Sequence, residues 1–193
     1  MKNEKKLDIK NMNQEQLRSY LMESTYSGNL EVVRYLLTSP YLEELHHTNS
    51  QVHNDVFLGA CFNGQLTIVR YLLTSPELNK HVDIHAYNEC ALTHCYENTQ
   101  LEVFKYLLTS PELKEHANIH TNNDFIFKNA SSHKDFDLIK YLILDYKIKK
   151  TDTIERYLSQ NTELHYIEKM FHMRDLDEKL KYSNQKTIKQ IKI

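Results

Sequence analysis

Tyr71-Leu72-Leu73-Thr74-Ser75-Pro76 is one of three identical six-residue strings, the others running from Tyr35 to Pro40 and from Tyr106 to Pro111. A fourth, diverged copy runs from Tyr141 to Tyr146 as YLILDY, and the four starts lie 36, 35 and 35 residues apart. Identity recurring at a nearly fixed period is the mark of a repeat architecture. The match extends upstream: Gly28-Asn29-Leu30-Glu31-Val32-Val33-Arg34 aligns with Gly64-Gln65-Leu66-Thr67-Ile68-Val69-Arg70. Thr99 to Lys105 and Lys134 to Lys140 align with both. Apolar residues at Leu66, Val69, Leu72 and Leu73 fall on one face of a helix, the second helix of each repeat.

Ahead of it lies a shorter apolar segment, with Phe57, Ala60 and Cys61 in the second repeat and Leu92, Cys95 and Tyr96 in the third. Phe127 and Ala130 follow in the fourth, and the first offers Leu21, Ser24 and Thr25. A small residue mid-helix lets a neighbouring helix approach, so Cys61 and Cys95 are expected as packing residues. After the second helix, Ser-Pro suggests an N-cap with proline at the first helical position, so a short helical turn is expected at Ser75-Pro76-Glu77-Leu78, with Leu42, Leu78 or Leu113 tucked beneath it. Polar residues around Tyr87-Asn88-Glu89 and Thr121 to Asp124 read as exposed loops. The pairs His81/His85 and His116/His120 recur with the repeat, which favours backbone hydrogen bonds over a metal site.

Composition narrows the class. Hydrophobic residues at 40% and charged residues at 26% suit a folded chain, and a net charge of −2 gives no general reason to expect a nucleic acid or acidic membrane. Gly28, Gly59 and Gly64 are the only glycines, so a glycine-rich phosphate cradle is not expected. GxSxG, P-loop and HExxH strings are absent, and no catalytic, cofactor or metal residue is assigned. Three cysteines suit a reducing compartment. Neither a signal-peptide h-region in Met1 to Lys10 nor a membrane-length apolar run is visible, so the expected location is cytoplasmic, or a host cell reached without a cleaved signal.

These residues resemble the ankyrin repeat. Asn63 to Leu73 is similar to that family's second helix, Ala60-Cys61 to its paired small residues, and Val82-Asp83-Ile84-His85-Ala86 to its hairpin. The family's Thr-Pro-Leu-His start is missing, the positions reading Asp55-Val56-Phe57-Leu58, Cys90-Ala91-Leu92-Thr93 and Phe125-Ile126-Phe127-Lys128. The hairpin glycines are missing too, and Ser-Pro-Glu-Leu lengthens the link after the second helix.

The expected fold is therefore all-α, an ankyrin-like solenoid of stacked helix-loop-helix units with extended inter-repeat loops. A polar segment, 1–12, precedes a repeat domain at 13–173, with units at about 13–48, 49–84, 85–119 and 120–150 and a shortened cap at 151–173. A helical extension and lysine-containing tail occupy 174–193. The resemblance implies a protein partner bound through the concave face, by an adaptor or a bacterial or viral factor that engages a host protein. Carried onto this chain, it places Asn54, Tyr87, Asn88, Glu89, Asn122, Asn123 and Asp124 at loop tips. On the first helices it places Leu58, Phe62, Asn63, Thr93, Glu97, Lys128 and His133. Phe62 and Tyr87 are the anchor candidates, because aromatics dominate interface energetics. Phe62 packing between helices is the competing expectation. The chain is expected to be a monomer. Two other classes stay open: nucleic-acid binding through Lys181, Lys186, Lys189 and Lys192, and an enzyme whose residues meet only in three dimensions.

Overall fold

In the computed structural model, residues 11–39, 51–78 and 80–191 are described, those from 186 onward by backbone alone. They fall into two compact units, one up to Ile119 and one from His120.

The first unit contains three helix pairs: α1 (Gln14–Tyr26) with α2 (Leu30–Leu37), α3 (Gln51–Phe62) with α4 (Leu66–Thr74), and α5 (Ala86–Glu97) with α6 (Leu101–Thr109). α1 packs on α3 and α3 on α5, while α2, α4 and α6 form the row beside them. Asn13 starts the first pair through a capping box: its side chain accepts from Gln16 N, and Gln16 Oε1 accepts from Asn13 N, both at 2.9 Å. Phe57, Leu72, Leu92, Phe104 and Leu107 are fully buried between the rows, and burying such side chains stabilises by roughly 1.5–3 kcal/mol each. Cys61 and Cys95 are also fully buried, and the Cys95 thiol lies 3.7 Å from the Cys61 carbonyl, so α3 and α5 approach closely where small residues allow it.

The second helices bury the face read in sequence except at its first position. Val33, Val69 and Phe104 are buried, as are Leu36, Leu72 and Leu107 one turn on. Leu66 begins its helix half-exposed and Leu73 is half-buried, whereas Leu37 and Leu108 at Leu73's position are buried.

The link after the second helix departs from expectation. Ser75 (ψ 128°) and Ser110 (ψ 126°) leave the helix into extended backbone, and Pro76-Glu77 forms a turn closed by Leu78 N donating to Ser75 O at 3.3 Å. Among the described residues no helical turn follows Ser75 or Ser110. Leu78 is buried as anticipated, Leu113 is half-buried, and Leu42 lies outside the described residues. Glu77 does not sit at a helix N-terminus; its carboxylate faces Arg34 of the preceding repeat in a two-pronged pair, with Arg34 Nε donating to Oε2 at 2.6 Å. Arg70 grips Glu112 in the same way, at 3.0 and 2.5 Å. The inserted segment thus supplies a recurring inter-repeat clasp. It also explains a register: Val82 N returns to Leu72 O and Ala117 N to Leu107 O, ten residues back, whereas Ile148 N returns to Leu142 O, six back, in the repeat lacking the four-residue insertion.

The helix pairs are joined by left-handed residues. Gly28 (φ 76°) and Gly64 (φ 69°) sit there, and Cβ atoms on them would lie 2.3 and 2.2 Å from the Gln65 and Gln100 side chains of the next repeat. Thr99 and Lys134, each at φ 57°, take the same conformation without glycine.

In the second unit, α7 (Thr121–Ser132) pairs with α8 (Phe136–Lys140), which continues as a π-turn from Tyr141 to Asp145. α9 (Asp152–Gln160) packs on α7. A 3-10 turn at Thr162–Leu164 enters α10 (His165–Ile191), which continues unbroken through 173 and 174. Arg174 fixes it, donating to Ile148 O at 2.8 Å and lying 5.0 Å over the Phe171 ring. Ile154, Leu158, Leu164, Ile167 and Phe171 supply the buried face. Among the described residues there is no strand, and no helix is long and apolar enough to cross a membrane.

Candidate protein-binding site

The first helices begin with an unusual backbone. Tyr87, Asn88 and Glu89 have φ of 54°, 59° and 63°, and Asn122, Asn123 and Asp124 have φ of 50°, 56° and 58°. Three consecutive non-glycine residues in the left-handed region persist only where their surroundings hold them. The holder recurs. His85 Nδ1 lies 2.5 Å from Glu89 Oε1, and His120 Nδ1 lies 2.5 Å from Asp124 Oδ1. Each imidazole donates across its own triplet, folding the chain into a compact left-handed turn. In the second unit Thr151 Oγ1 donates to the other Asp124 oxygen at 2.6 Å. In the first unit Glu89 Oε2 is buried without a partner.

Glu89 and Asp124 therefore do not stand at exposed tips. At 5% and 2% exposure they are interior anchors, and they leave the set of binding candidates. Their neighbours take the opposite position: Tyr87, Asn88, Asn122 and Asn123 are exposed, with Tyr87 at 53%. The hydrogen bond to Glu89 raises the His85 pKa above its ordinary 6.5; partial burial opposes this, and the charges of Glu89, Asp83 and Glu115 reinforce it. The first histidine of each pair has a different task, His81 Nε2 donating to Ser75 O at 2.8 Å and His116 Nε2 to Ser110 O at 2.9 Å. Among the described residues no group of three or more His, Cys, Asp or Glu is arranged to hold a metal.

Asn54 is another correction: it is half-buried within α3, not at a loop tip. Asn63 and His133 occupy equivalent positions 70 residues apart, two periods, and close the C-termini of their helices. Asn63 Nδ2 donates to Gly59 O and His133 Nδ1 to Asn129 O, both at 2.9 Å, as Asn98 Nδ2 does to His94 O. One turn and more before these caps, in the same register, stand Leu58, Thr93 and Lys128, each half-buried. Immediately before the caps stand Phe62 and Glu97, both exposed. Phe62 is 48% exposed while its edge rests on His94, centroids 5.9 Å apart and planes at 73°. It both packs between helices and offers a free face.

Within the second unit the same register continues onto α9, where sequence reasoning placed no candidate. Asn161 Nδ2 donates to Tyr157 O at 2.7 Å, making Asn161 the equivalent cap and Arg156 the equivalent of Lys128. Asn123, Lys128, Thr153, Arg156, Tyr157 and Gln160 line an open groove of about 340 Å³ between α7 and α9. The cue was available in the Lys128 and Arg156 register, but the shortened spacing from α7 to α9 breaks the 35-residue period that exposes it.

The C-terminal lysines form no basic track among the described side chains. Lys179 and Lys181 share the exposed surface of α10 with Asp175, Asp177 and Glu178, and Glu178 is paired with Lys147 at 2.8 Å. The side chains of Lys186, Lys189 and Lys192 lie outside those described.

A family model described as ankyrin repeats (3 copies) matches residues 21–123. Neither curated proteins nor solved structures yield a match to the chain. Paired helices joined at left-handed residues, small side chains where α3 meets α5, and a family match over more than half the length lead to one conclusion: the chain belongs to the ankyrin-repeat family.

Proposed function

We propose that this chain is a non-enzymatic protein-binding module, working in a reducing compartment, whose contacts are made by the exposed side of the first helices and the left-handed turns ahead of them. Ankyrin repeats are in general protein–protein interaction modules. In the first unit the binding residues are Leu58, Phe62, Tyr87, Asn88, Thr93 and Glu97; in the second they are Asn122, Asn123 and Lys128. The observation that carries the reading is the pair of aromatic side chains, Phe62 and Tyr87, left about half exposed on rigidly held backbone. Large aromatics so held lose little conformational entropy on binding, which is why they recur as interface anchors. The three cysteines are free thiols, in keeping with a reducing compartment.

Affinity capture with the intact chain and with a Phe62→Ala/Tyr87→Ala variant of matched melting tests this. A partner retained by the first and lost by the second supports the assignment. Equal retention by both moves the site off this face.

A further inference from the structure

The groove between α7 and α9 in the second unit has a lining of one chemical kind. Asn123, Lys128, Thr153, Arg156, Tyr157 and Gln160 all carry N–H or O–H donors, and none is acidic. Among the described residues, Lys128 and Arg156 enter no ion pair through their side chains. Of the neighbouring acids, Asp124 is committed to His120 at 2.5 Å and Thr151 at 2.6 Å and Glu155 to Lys150 at 3.6 Å, while Asp152, exposed one turn before Arg156, does not line the groove. Two cations therefore face a small space that no acidic side chain lines.

The groove is also built in advance. Tyr157 Oη is hydrogen-bonded to Ser132 Oγ at 2.7 Å and donates to Lys128 O at 3.2 Å, tying α9 to α7. Asn123 is held at its rim by the His120–Asp124 lock. Preorganised donors lose little on engaging an anion, and bonds to a charged acceptor are about twice as strong as neutral ones.

We propose that this groove receives an Asp or Glu side chain from an acidic segment of the partner protein. The carboxylate sits between Lys128 and Arg156, and Asn123, Thr153 and Gln160 meet the peptide backbone that carries it. The proposal rests on the protein-binding reading above and names the chemistry of the partner. A nucleic acid strand fits less well, because polyanions are held by a run of cations along a track and this groove has two. At about 340 Å³ the space suits a side chain and its flanking backbone.

The test pans a displayed library of random 12-residue peptides on the intact chain and on a Lys128→Gln/Arg156→Gln variant, both checked for equal helicity and melting. The intact chain is expected to enrich peptides rich in Asp and Glu. Their affinity should fall at least about tenfold in the variant, decline with added salt, and largely survive in Lys128→Arg. Enriched peptides without acidic residues, or acidic peptides bound equally by the variant, would overturn the proposal while leaving the protein-binding reading intact. Enrichment of no peptide would also overturn it, and the Phe62/Tyr87 capture experiment then decides that reading separately. Tighter binding of a phosphoserine peptide of equal charge, or of a dT12 oligonucleotide, through the same two residues would overturn it in favour of phosphate.

Discussion

Replacing Glu89 with alanine should destabilise the first unit far more than its polar character suggests. Glu89 is 5% exposed and its carboxylate receives the His85 imidazole at 2.5 Å, and that bond closes a turn of three left-handed residues. A hydrogen bond to a charged group contributes about 1.5–3 kcal/mol. The figure needs a discount here, because the His85 side chain is 39% exposed. The alanine variant also loses the anchor that offsets backbone strain at Tyr87 and Asn88, of order 1 kcal/mol each. Deleting the carboxylate also removes its buried, unpartnered Oε2, which offsets about 1 kcal/mol, so a net cost of about 2 kcal/mol follows, read as a lowered urea midpoint. Tyr87→Gly in that background should recover about 1 kcal/mol, since glycine takes φ 54° without strain and the lost ring was half exposed. The penalty should depend on pH. The folded state raises the His85 pKa above 6.5, so the pair's stabilisation is full below that value and fades as pH rises through the raised one. Glu89, Asp83 and Glu115 all face this imidazole and act in the same sense. Wild type should therefore lose more stability than Glu89→Ala between pH 6 and pH 9. A variant within about 0.5 kcal/mol of wild type at pH 6, or parallel pH profiles, would refute the lock.

Phe104→Ala, fully buried on α6, should cost about 3–5 kcal/mol in urea unfolding. Arg70 and Glu112 are both largely exposed, so despite two-pronged geometry a double-mutant cycle should give a coupling of no more than about 1 kcal/mol. Gly64→Ala should lower stability by about 1 kcal/mol because φ is 69°, while Lys134→Gly, at φ 57°, should raise it by a few tenths to about 1 kcal/mol in thermal melts. Cys90, half-buried, should react with a thiol reagent in the native protein before Cys61, which is fully buried and whose thiol is pushed well up by burial and its neighbour Cys95.

The helix pairs were legible in sequence because their signal is local and periodic. Val69, Leu72 and their counterparts repeat at fixed offsets, and side-chain burial enforces those offsets. What was not legible depends on long-range partners or on rare backbone. Arg34 meets Glu77 and Arg70 meets Glu112 across more than forty residues, so Ser-Pro-Glu-Leu reads locally as a helix start and instead forms a turn aimed at the preceding repeat. The left-handed triplets carry no glycine, which removes the usual mark of positive φ. Their one clue is an imidazole four residues before a carboxylate, at His85/Glu89 and again at His120/Asp124, and sequence alone cannot say that the carboxylate turns inward. Arg156 escaped because α9 follows α7 at a shorter interval than the period. Its place beside Lys128 emerges only when the helices are aligned from their asparagine and histidine caps.

The most direct test of the central claim is amide hydrogen exchange of the chain alone and with its captured partner. Slowed exchange is expected at the left-handed turns and first helices, around 51–62, 86–97 and 121–132, with little change along 66–74 and 101–109. Protection confined to those second helices would contradict that claim.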